Sequence, residues 1–212
     1  MVITFYGEGC FKIQSSELVI LTDPFDSKTG LIPPRFKADI ILKTLTPVTG
    51  VNGQWSVVSG QSIYGPGEYN IKDITITGFS LSKESSEKFL KTIYLLELED
   101  VKLCFLGHIS EMPEPAILEH LEEIDVLFIP AGGPPFLNQK SAVKIIKQLQ
   151  PKIVIPCFFK ISSLKRPADK LEKFLEEFNG PKTREIAGQE KLVIKKKDLA
   201  NIKKTEIAIL KV

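Results

Sequence analysis

Histidine is almost missing from this 212-residue chain, which has only His108 and His120. A metal centre built mainly from imidazoles is therefore excluded. Cysteine is also sparse. Cys10, Cys104 and Cys157 lie far apart, are odd in number and show no C-x-x-C spacing. That pattern argues for a reducing interior and against a disulfide framework. Long apolar runs are absent too. The longest, Val126–Pro130 and 153–159, have the length of buried strands and fall well short of the ~18 residues of a membrane span. The segment MVITFYGEGC enters directly into a strand pattern, with no basic n-region, apolar h-region or A-x-A-like site. No signal peptide and no membrane partner are expected, and the expected location is cytoplasmic. Finally, no charge of one sign dominates. Lys+Arg number 28 against 26 Asp+Glu, a net +2, too little to suggest nucleic-acid binding.

What is present is ordinary for a globule: 43% hydrophobic and 25% charged residues. A chain of this size buries roughly 70% of its unfolded surface without staples, so one domain over 1–212 is expected. The first third is strand-dense: 2–6, 11–14, 18–21 and 39–42 are short β-rich runs. Pro24 ends the third run, because proline lacks an N–H and restricts the residue before it. Segments 28–36 and 44–53 read as loops. Strands are expected at 68–71 and 74–77, and the serine-rich 80–88 reads as an exposed loop tip. Segments 92–98 and 101–106 form a hairpin turning at Glu99-Asp100.

The second half alternates helix and strand. Helices are expected at 114–123, 139–150 and 168–178, where apolar residues recur at helical spacing. Gly180 is placed to stop the last of these. The continuous apolar runs Val126–Pro130 and 152–156 read as strands covered on both faces. Short strands, including 206–211, close the chain. The sum is an α/β sandwich with mixed sheets.

Seven segments occur in the order known from one family. They are Gly7-Glu8-Gly9-Cys10-Phe11, Leu21-Thr22-Asp23-Pro24, Ala38-Asp39-Ile40-Ile41-Leu42-Lys43-Thr44, the G-P-G-E-Y run 65–69, Phe105-Leu106-Gly107-His108, the D-V-L-x-I-P-x-G-G run 125–133, and the P-K-I-V-I-P run 151–156. The chain thus resembles the metallo-β-lactamase superfamily, in particular its small stand-alone Zn-dependent-hydrolase-like members. The likeness covers about residues 1–160. It implies an αββα four-layer sandwich (α/β, or α+β, in class), with two mixed β-sheets flanked by helices and a cleft at one edge.

The family's H-x-H-x-D-H loop uses imidazoles and a carboxylate to hold Zn²⁺, which lowers the pKa of bound water toward ~7. Carried over by position, its ligands fall on Leu45, Pro47, Thr49 and Gly50. The family's bridging aspartate falls on His108, its last histidine on Phe158 or Cys157, and its opening histidine on Glu8. None of the four loop residues is a zinc donor. The resemblance therefore implies a degenerate metal motif, no resident cofactor and a catalytically inactive binding or structural protein. Two alternatives stand beside it. One is a hydrolase with a rebuilt mononuclear site around Glu8 and His108, completed by Cys157 or Glu68. The other is a homo-oligomeric assembly module using edge strands and the Phe158-Phe159 pair.

The bland account of Glu8 and His108 is a mutual ion pair or hydrogen bond filling the old metal void. Asp23 is expected to fix the turn before Pro24, and the three cysteines to pack as small hydrophobes. His120 is expected at the surface. Gly132-Gly133-Pro134-Pro135 reads as a tight turn, since it lacks the Lys-Ser/Thr of a phosphate loop. The lysines at 195–197 and 203–204 read as a solvated face.

Overall fold

The computed structural model describes residues 1–48, 60–72, 74–178 and 189–212. Its N-terminal half runs β1 (Val2–Gly7), β2 (Cys10–Ser15), β3 (Leu18–Thr22), β4 (Ile40–Lys43), β5 (Leu45–Pro47), β6 (Gln61–Tyr64), β7 (Gly67–Ile71), β8 (Ile74–Ser80) and β9 (Phe89–Leu98). The remainder runs β10 (Val101–Phe105), α1 (Pro115–His120), β11 (Val126–Pro130), α2 (Gln139–Leu149), β12 (Ile153–Cys157), α3 (Leu171–Phe178), β13 (Lys191–Val193), α4 (Lys196–Leu199) and β14 (Glu206–Ile207).

These strands build two mixed sheets. One has the order β13-β1-β2-β3-β4-β6, and the other β14-β12-β11-β10-β9-β8-β7, with β5 paired to β9. Period-2 alternation along β1 and β2 sends Ile3, Phe5, Phe11 and Ile13 inward. They meet Leu103, Phe105, Phe128 and Ile155 of the opposite sheet in the central core. Phe11 packs edge-on to Phe128 at 4.7 Å, and Phe128 stacks on Phe105 at 4.2 Å. β11 and β12 are buried along their whole length because their other face meets helices. Ala142, Val143, Ile146, Leu149 and Phe174 of α2 and α3 cover Leu127, Ile129 and Val154 there. The outer face of the other sheet carries a smaller cluster, Cys10, Leu21, Ala38 and Ile41, packed by Tyr6, Phe25 and Phe36. The expected metallo-β-lactamase-type sandwich of two mixed sheets is thus observed.

Several local expectations change. The loop 44–53 contributes β5, which pairs with β9 at Pro47↔Phe89. β6 was not foreseen, because its sequence QSIY is mostly polar; its pairing to β4 is parallel and non-local. The loop tip at 80–88 is anchored rather than free. Leu81 is buried, and Glu84 turns inward to Lys91 Nζ at 2.8 Å and the Ser110 backbone N–H at 2.6 Å. α3 begins at Leu171, and the 206–211 strand shortens to Glu206–Ile207. Lys196 of the basic tail pairs with Asp125 at 3.0 Å. Of the Phe158-Phe159 pair, Phe158 is buried and Phe159 is half-buried against the central core. Gly180 lies outside the described residues. Among the described residues, no helix is long and apolar enough to cross a membrane.

Candidate functional site

The strand ends of both sheets meet around one cleft. Its first wall is the β1–β2 turn, where Gly7 and Glu8 both take positive φ, 102° and 54°. Thr22 fixes that turn: its hydroxyl donates to Gly9 O at 2.7 Å and accepts from the Phe11 N–H at 3.0 Å. Glu8 O accepts from the Phe158 N–H at 3.0 Å, which joins this turn to the end of β12 in the other sheet. Asp23 follows β3, Thr44 follows β4, and His108 follows β10. Asp23 (φ 37°), Phe158 (φ 57°) and Gly107 (φ 62°) also lie in the left-handed region. Such backbone is costly for residues other than glycine, and it gathers where side chains are aimed into a site.

Asp23, Thr44 and His108 form a chain of hydrogen bonds. Thr44 donates its backbone N–H to Asp23 Oδ1 at 2.8 Å and its hydroxyl to Asp23 Oδ2 at 2.7 Å. The same hydroxyl lies 2.7 Å from His108 Nδ1. On the opposite side Arg166 grips Glu8, with Nε to Oε1 at 3.2 Å and Nη2 to Oε2 at 2.9 Å. Arg166 also donates to Phe158 O at 2.7 Å and to Pro167 O at 2.8 Å, and its guanidinium stands 4.8 Å over the Phe136 ring. Phe158 packs against His108 and Phe136, with ring centroids 4.9 and 4.4 Å away. The space enclosed is about 290 Å³, lined by Glu8, Gly9, Asp23, Pro24, Phe25, Thr29, Lys43, Leu45, His108, Phe136, Phe158 and Arg166.

Burial governs the charges. It lowers the His108 pKa from 6.5, against the opposing pull of Asp23 and Glu8, and the nearby Lys91 and Arg166 cations act in the same direction as burial. It raises Asp23 above 3.8 despite His108, the Thr44 bonds and Lys43. It lowers Lys43 from 10.5, partly offset by Asp23. The Cys157 thiol is pushed well above its usual range by burial, so it is no ready thiolate.

The structure therefore brings Glu8, His108, Leu45 and Phe158 to one cleft. It leaves Glu68 exposed on β7, Pro47 half-buried against β9 and Cys157 buried beneath the lining. Thr49 and Gly50 lie outside the described residues. The expected Glu8–His108 pair does not form, because Glu8 takes Arg166 and His108 takes Thr44. Asp23 does more than fix its turn, since it orients Thr44 and through it His108. His120 is at the surface as expected, stacked on Phe79. Gly132 is held by space rather than by an anion: a Cβ there would lie 2.0 Å from Phe158 O. Arg166, Lys43 and Phe136 escaped the sequence analysis. Lys43 and Thr44 stand inside a quoted motif, but Arg166 has no local pattern that marks it. Among the described residues, no group of three or more His, Cys, Asp or Glu side chains is placed to hold a metal ion.

Comparison with known proteins places this architecture. The family described as Beta-lactamase superfamily domain matches residues 2–158. A UPF0173 protein of Pyrococcus abyssi is 25% identical over 182 residues, covering 75% of this chain and 83% of that protein. A protein of Carboxydothermus hydrogenoformans named UPF0173 metal-dependent hydrolase is 23% identical over 191 residues, covering 75% and 84%. A crystal structure from Thermotoga maritima, put forward as a Zn-dependent hydrolase of the metallo-β-lactamase superfamily, superposes with a TM-score of 0.78 at 25% identity, covering 99% of this chain and 97% of that one. With its fold and its motif order both matched over most of its length, the chain belongs to the beta-lactamase superfamily, in its metallo-β-lactamase branch.

Proposed function

We propose that this chain is a metal-free member of the superfamily, catalytically inactive in the family's usual sense, whose cleft binds a small molecule. The observation that carries this is the bidentate pairing of Glu8 with Arg166. Zinc takes neutral imidazole, thiolate or carboxylate donors. Here both Glu8 oxygens accept from a guanidinium, His108 Nδ1 is engaged by Thr44, and Leu45 and Phe158 carry no donor atom. Lys43 and Arg166 set two cations against Glu8 and Asp23, the two carboxylates of the same walls. The residues present do not fit a metal pair. Elemental analysis of the full chain, purified without chelator, tests this. Zinc, iron and manganese are expected well below one equivalent, and a stoichiometric ion retained through dialysis would overturn the proposal.

A second reading has two observations in its favour. A relative at 23% identity is named a metal-dependent hydrolase, and His108 keeps Nε2 for a ligand. A single ion there would have to displace Arg166 from Glu8. That competition is measurable: added Zn²⁺ would then bind with submicromolar affinity and more tightly still once Arg166 is replaced.

A further inference from the structure

Thr44 carries one hydroxyl hydrogen and has two neighbours competing for it, Asp23 Oδ2 and His108 Nδ1, each at 2.7 Å. An ionised carboxylate only accepts hydrogen bonds. With Asp23 ionised, the hydrogen goes to Asp23 and His108 donates from Nδ1 to the threonine oxygen. This fixes the imidazole in its Nδ1–H form. Nε2 is left with a bare lone pair, and His108 is part of the cleft lining.

The rest of the cleft defines what such an acceptor can receive. Its walls are largely apolar, from Phe25, Leu45, Phe136 and Phe158. Arg166 spends four of its five N–H donors on Glu8, Phe158 O and Pro167 O, so it offers no open fork for an anion. At about 290 Å³ the cavity lies near the lower end of ligand pockets, which begin at ~300 Å³. It is sized for a one-ring molecule. Aromatic walls favour a ring at offset or edge-on geometry. A carboxylate brings no hydrogen to Nε2, whereas a hydroxyl does.

We propose that the cleft is a binding site for a small neutral aromatic hydroxyl compound, its O–H donated to Nε2 of His108 and its ring against Phe136 and Phe158. This rests on the metal-free reading of the same cleft. The positioning residues are Asp23 and Thr44, which act through His108.

The chain's two histidines make the test direct. Long-range ¹H–¹⁵N correlation spectra of the ¹⁵N-labelled full chain report both imidazoles, and H120Q assigns them. His108 is expected to show a protonated Nδ1 and an unprotonated Nε2. Titration with phenol should shift Nε2 saturably, while toluene and benzoate bind at least tenfold more weakly. T44V should lose the Nδ1–H preference and weaken phenol about tenfold, the effect of one hydrogen bond. T44S, which keeps the hydroxyl, should restore both, and this separates the relay from a folding defect. An Nε2–H tautomer in the native chain, or no saturable response to phenol, would overturn the proposal. Zn²⁺ titrated in the same spectra separates the two failures. A stoichiometric zinc shift at His108 defeats the metal-free reading, whereas silence toward both probes defeats only the aromatic ligand.

Discussion

Arg166 holds Glu8 with two hydrogen bonds across 158 positions of sequence, and both side chains are largely withdrawn from water. The pair ties the loop after β12 to the β1–β2 turn and forms one wall of the cleft. It also occupies both oxygens of the Glu8 carboxylate. A planar guanidinium matches a carboxylate bidentately in a way that an ammonium does not. Its fourth contact, to Phe158 O at 2.7 Å, holds the backbone of the residue that packs against His108 and Phe136.

Replacing Arg166 with Met should therefore be costly. It strands a mostly buried carboxylate and a buried carbonyl, and losing one partner of such a pair removes about 3 kcal/mol. Glu8→Gln keeps an acceptor toward Arg166 and should cost about 1 kcal/mol. Combining Arg166→Met with Glu8→Leu should recover part of the loss, because no charge then remains unpaired. Urea unfolding of the four proteins measures this. A loss below about 0.5 kcal/mol for Arg166→Met would mean that the pair behaves as a solvated surface bridge.

The contrast between β11 and Arg166 shows what the sequence exposes and what it hides. Val126–Pro130 is a continuous apolar run between turn signals, and it appears as the buried strand expected. The Glu99-Asp100 turn is equally local: both residues take positive φ, 53° and 59°, as a two-residue hairpin turn requires. β6 lacks such a pattern, because its pairing with β4 is parallel and supplied by tertiary context. The candidate site divides in the same way. Glu8, His108, Leu45 and Phe158 were reached through motif positions in chain order. Their partners were not, because a side chain's partner is chosen in three dimensions. Arg166 sits in an unpatterned loop, and Thr44 carries nothing local that names Asp23 and His108 as its neighbours.

The titration behaviour of His108 gives a pH prediction. Its pKa in the folded protein is lowered from 6.5, chiefly by burial. When the pH falls below that value, the unfolded chain takes up a proton that the folded chain refuses. Stability is therefore present above 6.5 and declines on acidification until the lowered folded value is passed. Asp23 works in the other direction, from 3.8 upward. Its folded pKa is raised above 3.8, so its contribution is greatest in acid and is lost as pH rises through the folded value. Urea unfolding free energies should thus fall as pH is lowered through 6.5, with the slope reduced in His108→Gln. An unchanged slope in that variant would assign the effect to other groups.

Gly107 precedes the histidine for a steric reason that can be tested. Its φ is +62°, and a Cβ there would lie 2.2 Å from both Cβ and Oγ1 of Thr44. Gly107→Ala should cost about 3 kcal/mol, combining left-handed strain with a clash against a residue held by two bonds to Asp23. It should also push the Thr44 hydroxyl off Asp23. The expected spectroscopic sign is loss of the His108 Nδ1–H signal in the fraction that stays folded. A folded Gly107→Ala protein with that signal intact would show that Thr44 can yield without breaking its contacts.

Gly9 and Phe158 should behave as a coupled pair. A Cβ on Gly9 would come within 2.6 Å of Phe158 Cζ and 2.9 Å of its Cε2. Gly9 has no positive φ to forbid a side chain, so the main obstacle is the phenyl ring, with Asp23 Oδ2 a second, milder one at 3.2 Å. That ring is fully buried and pinned by His108, by Phe136 and by the Arg166 bond to its own carbonyl. Gly9→Ala should therefore cost about 2 kcal/mol through overpacking. Phe158→Ala should cost about 3 kcal/mol through the cavity it leaves. In the double variant the clash with the ring is gone, and the new methyl group occupies part of the void. The combined loss should be smaller than the sum by about 2 kcal/mol, a coupling energy read from a double-mutant cycle in urea. Additive losses would mean that the ring already moves aside in solution. The cleft would then be wider than 290 Å³ and open to ligands larger than one ring.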